Sequence, residues 1–207
     1  MSDTQAPESQ AVSTSDKPAA AAPRRTPLYE RHAALGGRII DFGGWALPVQ
    51  YQSILEEHKA VRNAVGVFDI SHMGQFLVSG KSAEAFLNRT LTNDVSKLAP
   101  GQGQYTLLLN EKGGVVDDLI AYRTSEREFF LVVNASRIDA DWAHLEKQLK
   151  EEDDVMMANA SDFTAGLAVQ GPRSREVFQR LPEHVEFGGI FIPGNSSQSK
   201  RHHLRPQ

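Results

Sequence analysis

Asn110-Glu-Lys-Gly-Gly-Val-Val-Asp-Asp-Leu-Ile120 lies between two apolar runs, Leu107–Leu109 before it and a segment from Val115 to Arg123 that overlaps its end. Apolar runs joined by a short polar stretch with paired glycines predict a β-hairpin whose loop takes up positive φ. Side chains alternate along a strand, so Asp117 and Asp118 face opposite ways. Asp118 shares a face with Val116 and Ile120, and Asp117 shares the other with Val115, Leu119 and Ala121. Both faces are apolar, so periodicity leaves open which carboxylate is buried. If Asp118 points inward, desolvation raises its pKa towards a useful acid/base range. The competing reading is that one Asp closes the turn and the other is solvated.

Outward from this hairpin, further strands are expected at Gln75–Val78, Tyr105–Leu109, Glu128–Val133 and Gly166–Gln170, most of them at hairpin spacing. Ser53-Ile-Leu-Glu56 is a capping-box pattern that opens a helix with Ile54, Leu55, Val61 and Val65, stopped at Gly66. Ser82 precedes a short helix with Phe86 and Leu87 inward. Ser136 caps a third helix, in which Ile138, Trp142, Leu145 and Leu149 form a one-sided stripe that reads as core. The fold class is α+β with a largely antiparallel sheet.

The chain has 207 residues, 40% of them hydrophobic and 23% charged, which suits one soluble domain with ragged ends. A net charge of -4 supplies no basic field, so nucleic acid is not an expected partner. The absence of Cys rules out disulfides, thiolate metal ligands and thiol nucleophiles within this chain. The seven His show no metal-binding spacing, so no metal is expected. No apolar run approaches the roughly 20 residues needed to span a bilayer. Residues 1–25 are poor in large apolar side chains and read as a disordered leader without the signature of a secretory or mitochondrial targeting peptide. The domain is expected over 26–192, and the polar stretch over 193–207 reads as a disordered tail.

Six segments occur in the order of one family: Thr26-Pro-Leu-Tyr-Glu30, Asp41-Phe-Gly-Gly-Trp-Ala-Leu-Pro48, Phe68-Asp-Ile-Ser-His-Met-Gly74, Asn110 to Ile120, Val133-Asn134 and Ala168-Val-Gln-Gly-Pro172. Together, across Thr26 to about Leu181, they resemble the T-protein of the glycine cleavage system, a tetrahydrofolate-dependent aminomethyltransferase. The resemblance implies the N-terminal part of a three-subdomain cloverleaf around a folate cavity. It implies transfer of an aminomethyl carbon from the lipoylated H-protein to tetrahydrofolate, with release of ammonia and formation of 5,10-methylenetetrahydrofolate. A cytoplasmic location goes with it, or the mitochondrial matrix in a eukaryote.

The second Asp of the Gly-Gly-x-x-Asp-Asp motif falls on Asp118, which by resemblance meets the folate nitrogens and is the catalytic candidate. Met73, Tyr105 and Asn134 match folate-lining positions. An aromatic face suits a pterin or aminobenzoyl ring, and an amide serves both donors and acceptors. Asp41-Phe-Gly-Gly-Trp45 reads either as a loop that lets backbone approach a ligand or as a tight turn under Trp45. His72 reads as structural, and Asp69, Ser71 and His72 are too close in sequence to form a hydrolase triad. Family members continue beyond this length with segments resembling Tyr-Thr-Gly-Glu and Gly-Ala-Arg-Asp, so a truncated chain with a wet Asp118 is expected. The rival readings are a folate-binding module of a demethylating or iron-sulfur maintenance protein, and a non-functional fragment.

Overall fold

The hairpin around Gly113 and Gly114 forms one side of a five-stranded antiparallel sheet. The computed structural model describes residues 21–180. In chain order its elements are β1 (Arg24–Arg25), α1 (Tyr29–Ala34), β2 (Ile39–Phe42), β3 (Trp45–Pro48), α2 (Ile54–Asn63), β4 (Gly66–Asp69), β5 (Gly74–Ser79) and α3 (Ala83–Thr90). A 3-10 turn at Val95–Lys97 follows, then β6 (Gly103–Leu109), β7 (Val115–Ser125), β8 (Glu128–Val133), α4 (Ile138–Gln148), β9 (Met156–Asn159), β10 (Leu167–Gln170) and α5 (Ser174–Gln179). The main sheet has the order β6-β7-β8-β5-β9, and every pairing within it is antiparallel. The α+β expectation therefore matches the architecture.

One face of this sheet is dry. Leu108, Leu119, Ala121, Phe129, Leu131, Val133, Phe76 and Val78 pack with Phe86 and Leu87 of α3 and Leu145 of α4. Each of these side chains larger than alanine contributes roughly 1.5–3 kcal/mol on burial. Gly74 belongs to this layer for a steric reason, since a Cβ there would stand 2.4 Å from Val133 Cγ2 and 2.6 Å from Ile138 Cγ1. Among the described residues the opposite face is largely uncovered, with Leu77 and Tyr105 exposed and Leu107, Ile120, Phe130 and Val132 half-buried, although Gln75 and Tyr122 on it are buried.

Two smaller sheets lie beside the main one. β2 and β3 pair across Gly43 and Gly44, both at positive φ, and β1 runs parallel to β3. Asp41 Oδ1 accepts the Gly44 N–H at 2.7 Å, so this segment is a tight hairpin turn. β10 pairs antiparallel with β4 across nearly a hundred residues.

Several local expectations change. Arg24 and Arg25 lie within the fold, although the leader was expected to reach Arg25. Arg24 stacks 4.3 Å from the centre of the Trp45 ring and pairs with Asp162 at 2.7 Å, contacts that composition alone does not reveal. Ser53 does cap α2, yet Glu57 rather than Glu56 accepts the N–H groups of Tyr51, Gln52 and Ser53. The apolar residues Ile54 and Leu55 of that helix are exposed. Arg137, not Ser136, stands at the N-terminus of α4, with no side-chain cap. In the Asn110 loop only Gly113 has positive φ, whereas a Cβ on Gly114 would crowd the Asn110 amide at 2.8 Å. Residues 1–20 of the expected leader, the end of the domain at 192 and the tail over 193–207 lie outside the described residues.

Candidate functional site

The alternation along β7 resolves the adjacent carboxylates. Asp117, 6% exposed, points to the dry face with Leu119 and Ala121, and Asp118 stands on the open face between Val116 and Ile120. Strand register assembles the site around Asp118. Leu107 lies opposite Asp118 and Tyr105 opposite Ile120, so Tyr105 is diagonal to Asp118 on the same face, 70% exposed. Val132 also pairs with Ile120, which brings Asn134, two residues further along, beside Asp118.

Asn134 ties the two carboxylates together. Its backbone N–H donates to Asp117 Oδ2 at 3.1 Å. Its Nδ2 donates to Asp117 Oδ1 at 2.9 Å, to the Asp118 main-chain oxygen at 3.0 Å and to Asp118 Oδ1 at 3.3 Å. Asn93 supports the neighbouring strand, its Nδ2 donating to the Tyr105 carbonyl. Met73, in the turn before β5, is half-buried. Because Gly74 pairs with Val133, Met73 and Asn134 lie at the same end of the β5–β8 ladder. Asp118, Tyr105 and Asn134 thus share one face of the sheet, and Met73 lies in the turn at the Asn134 end. Among the described residues this face is open surface. A cleft of about 130 Å³ lies just past Asn134, lined by Ala135, Ser136, Asp139, Asn159 and Asp162 among others, and a shallower one of about 400 Å³ lies by Asn93 beside the Tyr105 strand.

Beneath this surface is a residue that sequence reading passed over. Asp141 of α4 is fully buried, and among the described residues neither of its carboxylate oxygens meets a donor. Burial first, then the neighbouring Asp117 carboxyl and its charge, push its pKa up to about 8, against the pull of Arg137. The signal was present in the helical spacing: Asp141 stands three residues after Ile138 and four before Leu145, inside the apolar stripe.

His72 is wedged edge-on against Phe42 and Trp45, at 5.9 and 6.3 Å between ring centres. Its Nδ1 is buried without a partner among the described residues, and desolvation lowers its pKa although Asp69 opposes this. Asp69 instead serves His32, whose Nε2 lies 2.9 Å away, while Thr26 Oγ1 donates at 2.6 Å and the Ser71 N–H at 2.9 Å. Tyr51 lies 2.7 Å from His32 Nδ1 and completes the chain. This network fastens the N-terminal segment to β4. Sequence reading missed it because Thr26, His32 and Tyr51 lie far from Asp69 in sequence. Among the described residues no group of three or more His, Cys, Asp or Glu is placed to hold a metal ion, and no helix is long and apolar enough to cross a membrane.

Residues 28–189 match the model of the GCVT N-terminal domain. The chain belongs to this family. Curated relatives named Aminomethyltransferase include one from Chloroherpeton thalassium, 51% identical over 174 residues, covering 80% of this chain and 48% of the relative. Another, from Thermus thermophilus, is 53% identical over 160 residues, covering 77% of this chain and 46% of the relative. The crystal structure of glycine cleavage system aminomethyltransferase T from Bartonella henselae superposes with a TM-score of 0.71 at 39% identity, covering 75% of this chain and 43% of that one. The chain spans about half the length of the curated relatives it matches. As a GCVT-family domain it carries the Asp117–Asp118 hairpin within the matched region, together with Met73, Tyr105 and Asn134.

Proposed function

We propose that this chain is the folate-site portion of a glycine cleavage aminomethyltransferase, which passes an aminomethyl carbon from lipoylated H-protein to tetrahydrofolate, releasing ammonia and forming 5,10-methylenetetrahydrofolate. The observation that carries this reading is the placement of Asp118 on the open sheet face, held by Asn134 and flanked by Tyr105. Relatives at about 50% identity that bear the aminomethyltransferase name support it.

In this reading Asp118 faces the nitrogens of tetrahydrofolate and orients the one that attacks the incoming carbon, so positioning accounts for much of the rate. Tyr105 offers a ring face to the pterin or aminobenzoyl group, and Met73 a polarizable apolar wall. Asn134 keeps the Asp118 main chain and carboxylate in place while its own amide is anchored by Asp117. A cytoplasmic location goes with the reaction in bacteria.

The test is single-turnover formation of methylenetetrahydrofolate from aminomethylated H-protein. It is run with this chain and with a full-length form that continues into the C-terminal half of the Thermus thermophilus relative. Formation by the full-length form that depends on Asp118 supports the proposal. Folate binding by that form without any transfer would instead make the domain a folate-binding module.

A further inference from the structure

A buried carboxylate with no donor is expensive, and among the described residues Asp141 is such a group, near a second buried carboxyl, Asp117. Asp117 already accepts two hydrogen bonds from Asn134, one on each oxygen. Each carboxylate oxygen keeps a further lone pair, so Asp117 can take one more donor. Arg137, at the start of α4, is close enough to act on Asp141 by charge, yet its Nε donates to the Val116 carbonyl at 3.1 Å. Among the described residues Asp141 makes no ion pair. Asp117 from β7 and Arg137 are the charged groups whose fields act on it. One proton on Asp141 removes the conflict, because it turns a repelling pair into an O–H donor and its acceptor.

We infer that Asp141 carries a proton that it donates to Asp117, and that this buried hydrogen bond sets Asn134, and through it Asp118, in position on the open face. Asp141 is then a positioning residue rather than a catalytic one. The path is short: Asp141 and Asp117 are both buried in the layer where α4 packs on β7, Asp117 accepts from the Asn134 amide, and that amide also donates to the main chain and the carboxylate of Asp118. Loss of the proton places two carboxylates against each other in a dry layer and pulls on the Asn134 amide. The alkaline limit of the site is therefore set from behind the sheet.

The importance of this proton for chemistry rests on the reading of Asp118 as the reacting carboxylate, but the test does not. The chain as it stands, labelled with carbon-13 at its Asp carboxyls and nitrogen-15 throughout, is titrated by NMR without folate or H-protein. The expected result is an Asp141 carboxyl with a midpoint near 8. The Asn134 side-chain amide and the Asp118 backbone amide should move with that same midpoint. In Asp141→Asn, whose amide still donates to Asp117, both signals should stay flat through that range. An Asp141 that titrates in the ordinary carboxyl range would overturn the proposal. So would a raised midpoint with Asn134 and Asp118 unmoved, which would make Asp141 a structural group alone. If the variant does not fold, the parent titration decides. Failure of Asp118 to support transfer leaves the titration unaffected, so the two readings fail separately.

Discussion

Asn134 grips Asp117 with both its backbone and its side-chain N–H, at 3.1 and 2.9 Å, and reaches Asp118 with the same side-chain nitrogen. One amide at the end of β8 therefore sets the relation between a carboxylate in the dry layer and another on the open face. Asn134→Asp keeps the shape but replaces that nitrogen with an oxygen beside two existing carboxyls. It should cost about 1–3 kcal/mol of stability, the scale of leaving a buried acceptor unpaired, before any added repulsion. The check is the urea midpoint at unchanged slope. A midpoint equal to the parent's would mean that the Asn134–Asp117 contact carries no energy.

Asp141 gives stability an unusual pH dependence. Its folded pKa, about 8, lies above the unfolded value near 4, so the folded state binds more protons across that interval. The contribution is fully present below the unfolded pKa and declines as pH rises, until it is lost through the folded pKa near 8. Asp141→Asn needs no proton. It should exceed the parent in stability by up to about 4 kcal/mol at pH 7, three pH units above the unfolded pKa at about 1.4 kcal/mol each, and differ little near pH 4. Thermal or urea melts at both pH values measure this, and a variant less stable at pH 7 than at pH 4, relative to the parent, contradicts the sign.

The residues explain how much of this could be read in advance. The β6–β7 hairpin and the inward Phe86 and Leu87 of α3 follow from local spacing, and the structure agrees. The choice between Asp117 and Asp118 did not follow, because Val116 and Ile120 make the open face as apolar as the dry one. Capping is local, so Ser53 announced α2, but the partner of an apolar stripe is not, and Ile54 and Leu55 stand exposed. Strand β4 finds its mate in β10 about a hundred residues away, and β9 pairs with β5 across about eighty, so neither pairing leaves a trace in a short window. Asp141 was legible as an acid within an apolar stripe, yet only the register of β7 shows that Asp117 faces it.

Asp69 should act with the opposite sign to Asp141. Burial alone would raise its pKa, but hydrogen bonds from His32, Ser71 and Thr26 outweigh this and hold the carboxyl below its usual range. A depressed folded pKa contributes stability that is present above the unfolded value near 4 and lost as pH falls through the folded one. Asp69→Asn should cost about 2–4 kcal/mol at neutral pH, because its amide nitrogen meets donors where the carboxylate accepted from them. Its melts should also lack the acid limb expected of the parent.

Gly74→Ala tests the packing behind the site. The added methyl would meet Val133 and Ile138 inside ordinary contact distance, and Val133 precedes Asn134. Overpacking of this kind should cost about 1–3 kcal/mol. Because the displaced strand end carries Asn134, the Asn134 side-chain amide should also shift in NMR spectra. A stable variant with an unmoved amide would show that the β5–β8 ladder yields without disturbing the site.

Asp118 and Asp117 offer the clearest contrast, in the full-length form carrying the Thermus thermophilus C-terminal half. Asp118→Asn keeps shape and a hydrogen-bonding oxygen on the open face but removes the charge, so folate affinity should change little. Transfer of the aminomethyl carbon should fall about a hundredfold or more, the scale expected of an acid/base or electrostatic group. Asp117→Asn faces the dry layer, where its new amide opposes the Asn134 Nδ2, so it should lower stability more and the chemical step less. Single-turnover rates and folate affinity, measured separately, divide binding from chemistry. If Asp117→Asn abolishes transfer while Asp118→Asn turns over normally, the reacting face of β7 is the one packed against α3 and α4. If both turn over normally, the hairpin has no part in the reaction and the folate site lies elsewhere on the domain.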